Sequence, residues 1–153
     1  MDKRLPYLLI EGPEGQKDKV FLTKERMTIG CFAEFNDIAL EPDPQQLISR
    51  QAHCAIERAS GGWWIVDNGS INRTFVEQDG LMSVVTGRTA ITAGDAVCIL
   101  GRLTDEGDPI YWRLSFEDPW STQALPPLHQ LTYLRYDWVQ AKLFRVVNLN
   151  KDS

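Results

Sequence analysis

The sequence predicts an all-β protein: a two-sheet antiparallel β-sandwich, followed by a C-terminal extension that reads as helical. Short strand-like stretches follow one another, several of them alternating apolar and polar residues with period two. The β-branched and aromatic content of stretches such as CAIE and WWIV supports strands. Turn signals recur about every ten residues, the spacing of a sandwich or barrel. No βαβ alternation, heptad or internal repeat competes with that pattern.

Taken in order, Tyr7–Glu11 stops at the Gly12-Pro13 turn, and Lys19–Thr23 and Arg26–Gly30 follow it. Ile38–Leu40 comes after Asn36-Asp37, and Ala52–Arg58 and Trp63–Asp67 flank Gly61-Gly62. Thr74–Glu77 lies between Asn68-Gly69 and Asp79-Gly80, with Ser83–Thr86 beyond. Ala96–Leu100 follows Gly94-Asp95, and Ile110–Phe116 follows Gly107-Asp108. Trp63 and Trp64 are neighbours in a strand and so point to opposite faces, one into the core and one outward. After Phe116 the texture changes. EDPWSTQALPPLHQ holds Pro119, Pro126 and Pro127 and reads as a linker or ordered arm. The expected organisation is a sandwich over 1–118, a Pro-rich arm over 119–130 and an extension over 131–153. In the extension Asp137 with Gln140 resembles a capping box, and Val139, Leu143, Val146 and Val147 share a helical face. KLFRVV alone also fits a strand.

The chain has 153 residues, 43% hydrophobic and 24% charged, which suits one globular domain with a sizeable core. Its net charge of -5 disfavours nucleic acid and anionic lipid as partners. The extension offers Arg135, Lys142, Arg145 and Lys151 against Asp137 and Asp152, too small an excess to anchor DNA. No apolar run is long enough to insert in a membrane, and the first residues read as a strand rather than a signal peptide. Cys31, Cys54 and Cys98 have neither disulfide nor zinc spacing, so no metal or other cofactor is expected and the cytoplasm is the expected compartment.

One polar constellation stands out. Ser49 and Arg50 follow the extended segment EPDPQQLI, and DNGSINRT forms a second polar loop. A hydroxyl beside a guanidinium can grip an oxyanion. Loops far apart in sequence can converge at one end of a sandwich, and phosphate suits such a pair. A hydrolase built on Ser49, His53 and Asp67 has little to support it: no Gly-x-Ser-x-Gly elbow and no evident oxyanion hole. No catalytic residue is assigned.

The chain resembles the forkhead-associated (FHA) domain, a phosphothreonine-peptide binding module with an FHA/SMAD-like sandwich. MTIGC resembles the strand that ends in Gly-Arg, and FNDIAL the Asn-Asp-Ile-x-Leu strand. ISRQAH matches a Ser-Arg-x-x-His motif, WWIVDNGSINRTFV the run through Asp-x-Gly-Ser-x-Asn-Gly-Thr, and ITAGDAVCILG the late Gly-Asp strand. The resemblance runs from about Leu5 to Glu117. It implies that Ser49 donates to a phosphate, that Arg50 supplies charge, and that Asn72 positions the peptide backbone. His53 and Thr74 would brace the loops, and Gly30 and Gly69 would permit tight turns. Three positions depart from the pattern. Cys31 stands where the family has Arg, Ile71 where a hydroxyl or base is common, and Arg73 where it has Gly. Arg73 is a candidate to restore the lost charge. Two functions follow as expectations. One is an adaptor for a threonine-phosphorylated protein partner. The other is a phospho-independent scaffold that docks through its surface or its aromatic C-terminal arm.

Overall fold

The structure is a computed structural model and describes residues 5–119. The expected arm and helical extension lie outside the described residues, apart from the first residue of the arm. Eleven strands are present among the described residues: β1 Tyr7–Glu11, β2 Lys17–Phe21, β3 Arg26–Gly30, β4 Ile38–Ala39, β5 Cys54–Ala59, β6 Gly62–Asp67, β7 Phe75–Gln78, β8 Leu81–Val84, β9 Arg88–Ile91, β10 Ala96–Leu103 and β11 Pro109–Glu117. They form the expected two-sheet sandwich. One sheet has the order β2-β1-β11-β10-β7-β8 and the other β4-β3-β5-β6-β9. Neighbouring strands are antiparallel except β3 and β4, which pair in parallel. The chain between those two strands makes a 3-10 turn at Ala33–Phe35, so β4 re-enters beside β3 in the same direction.

Alternation sets the core. On β1, Leu8 and Ile10 point inward; on β11, Trp112, Leu114 and Phe116; on β6, Trp63 and Ile65. Each such side chain contributes roughly 1.5–3 kcal/mol by leaving water. The Trp63 and Phe116 rings meet across the sheets at 5.9 Å. Trp64, on the opposite face of β6, lies under the Arg88 guanidinium at 4.1 Å, and its indole N–H donates to Ala59 O at 3.0 Å.

The hairpins follow turn chemistry. Ser60-Gly61 and Asp79-Gly80 both have positive φ at each residue, as a tight two-residue hairpin requires. The first turn therefore falls one residue earlier than the Gly61-Gly62 expectation. Three strand boundaries also move for local reasons. β5 begins at Cys54 because Ala52 is left-handed, with φ 48°. β7 begins at Phe75 because the Thr74 side chain turns back to Asp67. β10 runs on to Leu103 through a register shift between Leu100 and Arg102. The expected Ser83–Thr86 strand is β8, displaced two residues toward the N-terminus. Val85 dives into the core, and β9 then pairs with β6 in the other sheet. β9 was missed because RTAI shows little alternation of apolar and polar residues.

Candidate functional site

Three connections gather at one end of the sandwich: 31–37 between β3 and β4, 40–53 between β4 and β5, and 68–74 between β6 and β7. Their hydrogen bonds show how the sequence holds them. Gly30 ends β3, and a Cβ there would lie 2.6 Å from Asn36 Nδ2. Its φ is not left-handed, so Gly30 serves close packing rather than the tight turn expected of it. The space it leaves is filled by the Asn36 amide. Asn36 Nδ2 donates to Phe32 O at 2.8 Å and to Arg50 O at 2.6 Å, and its Oδ1 accepts from Ala52 N at 2.8 Å. The next residue, Asp37, faces the other way. It accepts from Thr28 N at 2.9 Å and pairs with Lys24. The Lys24 hydrogen bond is the main cause that lowers its carboxyl from the ordinary value.

Asp43 shapes the second loop. Its two oxygens accept from the Leu47 and Ile48 amides at 2.9 and 3.0 Å. Gln45 pins the same loop to the end of β10, accepting from Leu103 N at 2.7 Å and donating to Leu103 O at 3.2 Å. Asp67 organises the third loop. Its carboxylate accepts from the Ser70 and Thr74 hydroxyls at 2.6 and 2.7 Å and from Gly69 N at 3.0 Å. Burial pushes the Asp67 carboxyl up. The hydroxyls and amides around it outweigh that and hold it below its ordinary value. Gly69 has φ 76°, which suits glycine.

His53 joins the second and third loops. It is 1% exposed. Its Nδ1 accepts from Ser49 N at 3.0 Å, which leaves the proton on Nε2 to be donated to Arg73 O at 2.8 Å. Burial lowers its pKa, so the ring is neutral. Both nitrogens hold backbone, and Asp67 is bonded to its own loop. A Ser49–His53–Asp67 relay is therefore not assembled. Asn72 adds a second stitch, its Nδ2 donating to Leu47 O at 2.8 Å. Loops carrying Ser49-Arg50 and Asn72-Arg73 thus lie side by side. Arg73, where the resembling motif has glycine, has φ 68°. Of five non-glycine residues with positive φ among the described residues, Gln46, Ala52 and Arg73 fall in these loops, so the strain concentrates there.

A cleft of about 610 Å³ opens beside Ser49 and Arg50. Buried Cys31 and Ile48 form its floor, with Phe32 on one wall and Glu41, Pro42 and Asp43 on another. Asn72 and Arg73 do not line it. The Arg50 guanidinium lies 5.4 Å over the Phe32 ring. Neither Arg50 nor Arg73 pairs with a carboxylate among the described residues. The Cys31 thiol is pushed up by burial and then by the neighbouring Asp43 charge, so it remains protonated. Ile71 stands 91% exposed at the tip of the third loop. Asn36, Asp43, Gln45 and Asp67 were not singled out for this site from sequence. For Asn36 and Asp67 the FHA-like motifs FNDIAL and DNGS were the available signal; for Asp43 and Gln45, in a polar loop without a motif, there was none.

No curated protein matches the sequence. Among solved structures, the FHA domain of CT664 from Chlamydia trachomatis superposes with a TM-score of 0.54 at 20% identity, covering 75% of this chain and 98% of that one. EmbR from Mycobacterium tuberculosis, in complex with a low-affinity phosphopeptide, gives 0.52 at 21% identity over 76% of this chain. This chain spans only 25% of that structure's length. The yeast Pml1 splicing factor, described with its integration into the RES complex, gives 0.55 at 18% identity over 76% of this chain and 80% of that one. These likenesses establish the fold. The family model for the FHA domain matches residues 27–99, which take in β3 to β9, the three loops of the site and the first half of β10. Residues 27–99, just under half of the chain, are thus matched as an FHA domain.

Proposed function

We propose that this protein is a non-catalytic adaptor whose loop end binds phosphothreonine-containing peptides of a protein partner. One observation carries the reading. His53 and Asn72 lock the Ser49-Arg50 loop against the Asn72-Arg73 loop, and both arginines are left without an acidic partner among the described residues. An exposed dianion would satisfy them. Ser49 donates its hydroxyl to the phosphate, and Arg50 and Arg73 supply charge from two sides. Asn72 fixes the neighbouring loop with its amide nitrogen and offers its carbonyl to a peptide N–H. The bound phosphopeptide named for EmbR supports this reading by analogy of fold. Three free cysteines, all buried, fit a reducing compartment such as the cytoplasm.

A phosphothreonine peptide library, measured beside its unphosphorylated counterpart, tests the proposal. Binding to the phosphorylated set alone is expected; equal binding to both sets, or to neither, rejects it. Two observations favour a second reading, a phospho-independent scaffold. The buried Cys31 thiol replaces a guanidinium, and Ile71 puts an exposed apolar side chain at the loop tip. Under that reading a partner binds regardless of phosphorylation, and Ile71→Asp weakens it.

A further inference from the structure

We infer that the cleft beside Ser49 selects phosphothreonine peptides carrying an arginine or lysine close to the phosphothreonine. The inference rests on the phosphopeptide reading above. The cleft holds charges of both signs that do not pair with each other: Arg50 by the Phe32 wall, and Glu41 and Asp43 on the wall around Pro42. The Asp43 carboxylate accepts from the Leu47 and Ile48 amides. Glu41 is exposed and has no hydrogen bond or ion pair among the described residues. No lysine or arginine of the described chain forms an ion pair with either carboxylate.

A phosphate seated at Ser49 and Arg50 would lie beside this uncompensated negative charge. A second acid on the peptide would be repelled there. A basic side chain would offset both the cleft carboxylates and the phosphate. The shape agrees with that chemistry. Arginine and lysine have apolar stems and charged heads. The stem suits a floor of Cys31 and Ile48 with Phe32 and Pro42 beside it, and the head suits Glu41 and Asp43. Small or acidic side chains would leave the cleft unfilled or the carboxylates opposed.

The test is a set of phosphothreonine peptides with Arg, Ala or Glu at each flanking position in turn. Affinities are measured by calorimetry at two ionic strengths, for the parent and for Glu41→Lys. Glu41 makes no bond that the fold needs, so the variant is expected to fold. At one flanking position Arg should bind roughly tenfold tighter than Glu at low salt, with the ratio narrowing at high salt. In Glu41→Lys the ratio should collapse or invert. Equal affinities for Arg, Ala and Glu at every position, with phosphate dependence intact, overturn the selectivity and leave the phosphothreonine reading standing. A preference for Arg that Glu41→Lys does not change overturns its assignment to this cleft. Absence of phosphate dependence overturns both.

Discussion

Ser49, Arg50, His53 and Arg73 separate into groups that offer themselves to a ligand and groups that hold the loops. In the proposed phosphopeptide reading, Ser49 and Arg50 belong to the first. Both would meet one dianion, so their contributions should not add. Ser49→Ala should weaken phosphopeptide binding by about 1 kcal/mol or more, Arg50→Ala by a similar amount, and the double variant by less than their sum. Calorimetry on the three variants checks this, and a double variant that binds like the parent excludes the pocket. Arg73 has two opposed effects. Its left-handed backbone costs on the order of 1 kcal/mol for a residue with a Cβ, while its guanidinium stands free for a ligand. Arg73→Gly should therefore raise the melting temperature and lower phosphopeptide affinity together. A change in stability alone would mean that the guanidinium does not touch the ligand. His53 belongs to the second group. Its pKa is lowered by burial from the ordinary 6.5. Between the folded and unfolded pKa values the unfolded chain binds more protons, so stability rises with pH. The contribution is present above about 6.5 and is lost as pH falls through the folded value. Urea midpoints should fall as pH drops from about 7.5 to about 5.5. His53→Gln should be less stable at neutral pH and have a flatter profile.

β3 and its following turn show how one strand end controls a distant loop. Asn36 ties Phe32, Arg50 and Ala52 into one unit, and it fits only because Gly30 lacks a Cβ. Gly30→Ala would drive the Asn36 amide from its place, leaving Ala52 N without its partner and removing one of the two bonds that Phe32 O and Arg50 O each accept. The orphaned Ala52 N–H costs about 1–3 kcal/mol if it stays buried, less if water reaches it. The expected result is a clear fall in melting temperature and a loss of phosphopeptide binding larger than the stability loss explains. Circular dichroism melts beside calorimetry would show it. If binding survives intact, the position of Arg50 does not depend on Asn36. β5 and β6 form the rigid counterpart. They are paired over six residues each, and the His53 and Asp67 that organise the loops sit at their ends. The loops are therefore strained pieces mounted on a regularly paired ladder.

At the scale of the molecule, β11 is an interior strand, bonded to β1 on one side and to β10 on the other. Truncation after Pro119 leaves those ladders whole. The chain beyond it is rich in aromatics, with Trp120, Tyr133, Tyr136, Trp138 and Phe144, and is proposed as a docking arm for a partner protein. The truncated protein should melt within a few degrees of the full chain and lose a partner that the full chain captures. A much lower melting temperature would assign the arm to the fold instead, and no change in either property would remove the docking arm from consideration.

Period-two patterning and glycine-bearing turns were enough to reach the sandwich, because strand direction and burial are local consequences of alternation. The motif ISRQAH was enough to bring Ser49, Arg50 and His53 into view. The tertiary structure alone decided how those residues are used. His53 spans two loops that lie twenty residues apart, a relation no local pattern encodes. Gly30 proved to be a packing position for Asn36, not a turn. β9 was invisible because it gains its place by leaving the sheet of β7 and β8 to pair with β6, and by stacking Arg88 on Trp64. The acidic wall of the cleft was likewise hidden in EPDPQQLI. Asp43 folds that segment back through amides four and five residues on, and long-range contact with Leu103 holds it there through Gln45.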